Sequence, residues 1–102
     1  MMREKHRHLL VESMNEIAED EKTFSYNLYK ELIRCIGEMN YHRVNPKFVK
    51  MFDKKHFVLR SSLEGVGALI VALSMIKRIN GTDAALYTLK SSGTIRALTK
   101  EK

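Results

Sequence analysis

Residues 48–60, Phe-Val-Lys-Met-Phe-Asp-Lys-Lys-His-Phe-Val-Leu-Arg, decide the fold of this 102-residue chain. Two short runs rich in aromatic and β-branched residues, 48–52 and 56–60, flank a polar turn at 53–55. Strand-forming runs separated by a short polar turn are typical of a β-hairpin. The segments on either side of this hairpin supply the other strands and the helices.

The segment before the hairpin predicts a strand and then a helix. Residues 7–14 combine a central Leu-Leu-Val with charged ends, which favours a strand. A helix is expected to begin near Ser25, which can cap its first free amides. Its apolar stripe consists of Leu28, Leu32, Ile36 and Met39, which recur every three or four residues. Residues 40–46 are predicted to form a loop, because Pro46 disfavours helix in the residue before it.

The segment after the hairpin repeats this organisation in reverse order. Ser61 and Glu64 have the spacing of a capping box, which predicts a helix running to about Ile79. Asn80-Gly81 can adopt the left-handed backbone conformation that commonly ends a helix. Residues 84–89 are predicted to form the last strand, and residues 94–102 a short basic helix.

The predicted order of elements is β-α-β-β-α-β within one domain, 1–102. This order is typical of the ferredoxin-like α+β class, in which a four-stranded antiparallel sheet carries two helices on one face. The RNA-recognition motif has the same architecture. The fold alone does not choose between RNA binding and other functions of this class.

Charge is distributed unevenly along the chain. The net charge is +6 and the isoelectric point is about 9.6. Residues 12–40 carry a net −4, whereas residues 41–60 carry a net +5. Such an excess of basic residues suggests a polyanionic partner, and the asymmetry suggests two different surfaces for two partners.

Several classes of function are disfavoured by composition. Cys35 is the single cysteine, so no disulfide framework or cysteine-based zinc site is expected. The histidines are scattered, and no residue is assigned to metal binding or catalysis. The N-terminus lacks the apolar segment of a signal peptide, and the longest uncharged apolar run, 65–76, is shorter than the ~20 residues of a membrane span. We therefore expect a cytoplasmic protein that does not bind membranes.

The second predicted helix is apolar around most of its circumference. Its sheet-facing stripe is predicted to be Leu63, Val66, Ile70, Leu73 and Ile76. The remaining apolar residues are predicted to pack against another protein: Leu69, Val71, Ala72 and Met75. A wide core stripe is the alternative.

Two further features admit two interpretations each. Phe48 with Phe52, and Phe57 with Leu59, share strand faces that form either the core or a platform for stacking bases. The segment Ser92-Gly93-Thr94 is either an ordinary capped turn or a phosphate cradle at a helix N-terminus.

The C-terminal part of the chain resembles archaeal ribonuclease P protein component 2, one of the Pop-type ribonuclease P subunits. The resemblance is carried by Ile-Asn-Gly at 79–81, Ala-Leu-Tyr-Thr-Leu at 85–89 and Ser-Gly-Thr-Ile-Arg-Ala-Leu at 92–98. It extends less specifically over most of the chain. Tyr87 replaces an arginine of that pattern, and Lys90 replaces a glycine.

This resemblance implies a non-catalytic protein subunit of the endoribonuclease that removes 5′ leaders from precursor tRNA. The RNA would be the catalyst and would use Mg²⁺, and the protein would hold no cofactor. The implied partners are the ribonuclease P RNA, protein component 3 and other protein subunits, with precursor tRNA contacted indirectly. A homodimer within a heterotetramer is one arrangement that this implies.

Thirteen residues are expected to contact RNA on this hypothesis, and most of them are basic. They are Arg3, Lys5, Arg7, Lys54, Lys55, Arg60, Lys90, Ser92, Gly93, Thr94, Arg96, Lys100 and Lys102. One alternative function is a ferredoxin-like regulatory domain that binds a small molecule as a homodimer. Another is a small phosphate-handling enzyme of the acylphosphatase kind, although the acidic segment 14–23 lacks the anion loop that such chemistry needs.

Overall fold

A computed structural model describes residues 6–79 and 81–92 as a sheet with helices on one face. The elements in chain order are β1 (His6–Ser13), α1 (Glu21–Ile36), α2 (Glu38–Val44), β2 (Lys47–Met51), β3 (His56–Ser62), α3 (Val66–Met75), β4 (Arg78–Ile79), β5 (Thr82–Asp83) and β6 (Leu86–Ser92).

The main sheet has the strand order β2-β3-β1-β6, and all its neighbouring strands are antiparallel. The predicted hairpin is present as β2 and β3, and the predicted α+β class is confirmed. β1 is central, because it pairs with β3 on one side and with β6 on the other. A separate two-stranded sheet is formed by β4 and β5.

The first helical region differs from the prediction at both ends. α1 begins at Glu21 rather than near Ser25, whose hydroxyl donates to the Lys22 carbonyl inside the helix. The predicted loop at 40–46 is wrong, since α2 continues to Val44. Pro46 restricts only the residue before it. Asn45, the residue before Pro46, leaves the right-handed helical conformation and is left-handed with φ 49°. The helix can therefore extend as far as Val44.

The predicted capping box at Ser61 and Glu64 is also wrong. Ser61 is buried in β3, and it is the Ser62 hydroxyl that accepts from the Gly65 N–H at 3.0 Å. The same hydroxyl donates to the Arg43 carbonyl at 2.6 Å, which ties α2 to the start of α3. Gly65 is required here, because a Cβ would lie 2.5 Å from the Val44 Cα.

α3 ends at Met75 instead of Ile79, because residues 78–79 pair with residues 82–83 across a turn in which Gly81 has φ 80°. The predicted helix at 94–102 lies outside the described residues.

The core lies between the helices and one face of the sheet. Its fully buried side chains include Leu9 and Val11 from β1, and Leu28 and Leu32 from α1. An aromatic cluster joins three elements: the Phe57 ring lies 5.2 Å from Phe24, edge to face, and 5.5 Å from Phe48, stacked. These rings are core residues, so Phe48 and Phe57 are not available as a base-stacking platform.

The sheet-facing stripe of α3 is rotated relative to the prediction. Leu69 and Ala72 are buried, so their assignment to a protein interface is wrong. Leu63 and Ile70, which were predicted to cover the sheet, are exposed instead. An almost uniformly apolar helix gives no contrast from which its buried side can be identified. Val71 remains on the exposed side, as predicted.

α1 also closes the edge of the sheet at β2. The Phe48 N–H donates to the Tyr29 hydroxyl at 2.6 Å, and the Met51 N–H donates to the Glu21 carboxylate at 2.7 Å. Edge strands otherwise present such amides to other chains. These two bonds fix the helix against the strand that carries Phe48.

We predict that Phe57→Ala lowers the free energy of unfolding by about 3–5 kcal/mol, because it removes the ring shared by α1, β2 and β3. Urea denaturation measures this loss. Tyr26→Ala, which removes an exposed ring of α1, is the control and is expected to cost less than about 1 kcal/mol. Equal losses for the two variants would contradict the assigned core.

Candidate nucleic-acid interface

The face of the sheet opposite the helices is the candidate interface, called here the open face. Leu9, Val11, Phe57 and Leu59 point toward the helices. Because side chains alternate along a strand, the residues between them point the other way. Strand pairing arranges the open face in three rows: a basic row, a middle row and a carboxylate row.

The basic row crosses the sheet from β6 to β2. His8 pairs with Ser92 and with Arg60, and Arg60 pairs with Lys47. Two permanent cations therefore lie side by side on neighbouring strands, and such a pair fits an anionic backbone.

The middle row has an apolar centre and a lysine at each edge. Leu10 lies between Val58 and Lys90, and Val58 pairs in turn with Lys50. Val58 is fully buried although it lies outside the helix-side core.

Both lysines of the middle row owe their position to β-bulges. The pairing of β2 with β3 shifts between Phe48 and Lys50, and that of β1 with β6 shifts between Leu10 and Val11. In a regular strand Lys50 would share a face with Phe48. The extra residue of each bulge turns the following lysine to the open face.

The carboxylate row lies next to the turn between β2 and β3. Glu12 pairs with His56 on one side and with Tyr87 on the other. The His56 ring bridges two carboxylates, with Nε2 3.3 Å from Glu12 Oε2 and Nδ1 2.9 Å from Asp53 Oδ1. Tyr87 is 52% exposed.

Asp53 organises the turn itself. Its Oδ1 accepts from the Lys55 N–H at 2.7 Å and from the His56 N–H at 2.9 Å. The Lys55 amide, followed by the His56 side chain, holds the pKa of Asp53 below its ordinary value of 3.8. The carbonyls of Lys54 and Lys55 accept from Ile17 and Ser13, each at 2.7 Å. The turn backbone is therefore fixed, while both lysine side chains are exposed.

The structure brings together part of the predicted RNA-contacting set. Arg60, Lys90 and Ser92 belong to the open face, and Lys54 and Lys55 lie at its end. Arg7 does not join them: it alternates with the open-face residues, and its guanidinium donates to Ser91 on the helix side. Seven predicted contacts lie outside the described residues: Arg3, Lys5, Gly93, Thr94, Arg96, Lys100 and Lys102.

Lys47 and Lys50 were missed by sequence reasoning. They are three residues apart, so simple alternation places them on opposite faces of a strand. The bulge at Val49 puts both on the open face. The signal available in the sequence was the net +5 of residues 41–60.

A second surface lies on the helix side. A groove of about 460 Å³ runs between α2 and α3, lined by Cys35, Ile36, Asn40, Arg43, Val44, Glu64, Gly65, Gly67, Ala68, Val71, Ala72 and Met75. Val71 and Met75 are 56% and 55% exposed. Exposed apolar side chains grouped in this way are typical of a protein-binding surface.

Neither a metal site nor a membrane span is present in the described ranges. Within residues 6–79 and 81–92, no group of three or more histidine, cysteine or acidic side chains is placed to hold a metal ion. No helix in the same part of the chain is long and apolar enough to cross a bilayer.

Comparison with known proteins identifies relatives among ribonuclease P subunits. The sequence model of the Rpp14/Pop5 family matches residues 7–102. Ribonuclease P protein component 2 of Thermococcus gammatolerans and that of Thermococcus kodakarensis are each 26% identical over 101 residues, covering 98% of this chain and 84% of the relative. A chain from the cryo-EM structure of yeast ribonuclease MRP shares the fold, with a TM-score of 0.64 at 11% identity, over 94% of this chain and 79% of that one.

We predict that the charge of Asp53 stabilises the fold only above its folded pKa. Because folding lowers this pKa from its ordinary value of 3.8, the stabilisation is complete above that value and is lost as pH falls through the folded value. The difference in unfolding free energy between the wild type and Asp53→Asn, measured by urea denaturation, should therefore be constant above about pH 5 and shrink below about pH 4. A difference that does not change with pH would contradict this role.

Proposed function

Because the chain belongs to the Rpp14/Pop5 family, we propose that it acts as a protein subunit of ribonuclease P, which removes 5′ leaders from precursor tRNA. The resemblance found in the sequence is confirmed by this family and by the archaeal relatives named ribonuclease P protein component 2. The regulatory-domain alternative finds no support among them. Cytoplasmic location stays a prediction.

The open face is the surface proposed to bind the RNA. The observation that carries this proposal is the pair of bulges, which turn Lys50 and Lys90 to the same face as Arg60. Two independent irregularities that add positive charge to one face are best explained by an anionic partner. The spacing of cations across three strands suits contacts to phosphates.

Catalysis in this proposal belongs to the RNA and its Mg²⁺. The protein's basic side chains lower the repulsion between RNA segments and so favour the folded RNA. Precursor tRNA would be affected through the RNA rather than through direct contact with this chain.

We predict that each open-face cation contributes one phosphate contact. Arg60→Ala and Lys50→Ala should each weaken binding to ribonuclease P RNA and flatten the slope of log K against log salt by about 0.7–0.9. Filter binding over a salt series measures this slope.

Arg34→Ala is the matched control for this experiment. Arg34 is an exposed cation of α1 that pairs with Glu31 at 3.1 Å, on the other side of the sheet. Its removal should leave the slope unchanged. Equal slopes for Arg60→Ala and Arg34→Ala would refute the open face as the RNA-binding surface.

The groove between α2 and α3 is the surface proposed to bind a partner protein. Component 3 is the partner that the family resemblance implies, and a second copy of this chain is the other. The groove is apolar at Val71 and Met75, and its polar lining residues are Asn40, Arg43 and Glu64. It lies on the helix side, so RNA and a partner protein can be bound at the same time.

We predict that Met75→Asp, alone or with Val71→Asp, abolishes pairing with component 3 in size-exclusion chromatography, because the substitution places a charge in an apolar contact. These side chains are more than half exposed in the isolated chain, so the fold should persist. Leu69→Asp is unsuitable, since Leu69 is fully buried.

Leu89→Asp controls for a general effect of adding an exposed carboxylate, because Leu89 is similarly exposed but lies in β6. Pairing that survives Met75→Asp, or is lost equally in Leu89→Asp, would exclude the groove as the interface.

A further inference from the structure

We infer that the carboxylate row is a binding site for one unpaired guanine of the RNA held on the open face. The site consists of Tyr87, Glu12 and His56. This inference rests on the proposed function and deepens it, because it adds base recognition to a surface that otherwise contacts phosphates.

Glu12 is the feature that phosphate binding does not explain. Among the described residues that form the three rows, it is the only acidic side chain. A carboxylate repels phosphates, so it lowers the affinity of a surface that binds only the RNA backbone. An acceptor at this point is useful where the ligand presents hydrogen-bond donors, and in RNA these belong to the edges of unpaired bases and to the 2′-hydroxyl groups.

The carboxylate lies beside His56 and remains accessible. His56 Nε2 lies 3.3 Å from Glu12 Oε2, and the other ring nitrogen is fixed by Asp53. The Glu12 side chain is nevertheless 39% exposed. An acceptor that is open to solvent can be reached by a ligand.

Tyr87 supplies the stacking surface for the same base. It pairs directly with Glu12, and the side chains of directly opposed residues in an antiparallel sheet begin ~4.5–5.5 Å apart. Its hydroxyl lies 4.0 Å from the Met14 sulfur, which locates one end of the ring. A base stacked on this ring has its edge within reach of the neighbouring carboxylate.

The donor pattern of the bases selects guanine. Its Watson–Crick edge presents two adjacent donors, N1–H and the N2 amino group, which match the two oxygens of a carboxylate. Adenine and cytosine each place one donor beside an acceptor, and uracil places one donor between two acceptors. A carboxylate therefore forms two hydrogen bonds with guanine and at most one with each of the others.

The test uses the full chain and short oligouridines that carry one central guanosine, adenosine or inosine, with binding followed by fluorescence anisotropy at one salt concentration. Inosine lacks the N2 amino group and is otherwise guanosine. We expect guanosine to bind about tenfold more tightly than adenosine and about fivefold more tightly than inosine.

Glu12→Gln separates recognition from general binding. The amide keeps the shape of the side chain but offers only one acceptor, so the preference for guanosine should disappear. Binding of the adenosine oligonucleotide should stay the same or become tighter, because a negative charge has been removed. Glu16→Gln, which removes an exposed carboxylate from the segment between β1 and α1, is the matched control and should keep the preference.

Tyr87→Ala should weaken all three oligonucleotides by about fivefold or more, through the loss of stacking. A preference for guanosine that survives Glu12→Gln would overturn the site. Equal binding of the three oligonucleotides by the wild type, with a normal salt dependence, would overturn the site and leave the RNA-binding face intact. The absence of any salt-dependent binding would overturn both.

Discussion

The pairing of β1 on both of its edges is the constraint on which the rest of the structure depends. Side chains alternate along β1, so Leu9 and Val11 face the helices while Leu10 and Glu12 face the open side. A shift of one residue against β3 would exchange the two sets and bury a carboxylate. The hydrophobic core therefore fixes the open face as well, and each proposed RNA contact depends on apolar packing on the opposite side of the sheet.

This arrangement separates two tasks within a small chain. The aromatic cluster around Phe57 fills the space between the sheet and α1. The open face and the helix-side groove therefore lie on opposite sides of the packed core. RNA contact and protein contact can therefore change independently. The opposite charges of segments 12–40 and 41–60 agree with this separation, since all of α1 belongs to the first, and β2 with most of β3 to the second.

The order of the main strands could be predicted from sequence because strands and turns differ strongly in composition around Asp53. The rotation of α3 could not, because Val71 and Leu69 are equally apolar and only the three-dimensional packing distinguishes them. α2 was not predicted because Pro46 was expected to disfavour helix before it, whereas in the structure only Asn45 leaves the helical conformation. The RNA-binding candidates were predicted in part: the net charge located the segment, whereas the bulges decided which lysines reach the open face.

The two bulges also bear on how the sequence of this domain can change in length. A bulge holds one residue more than its partner strand, so the loss of Val49 or Leu89 leaves a regular ladder in which Lys50 and Lys90 keep their face. The same loss within β3 would reverse every later residue of the strand. In an alignment of related chains, single-residue gaps in these strands belong at positions 49 and 89, and gaps between 56 and 62 indicate misalignment.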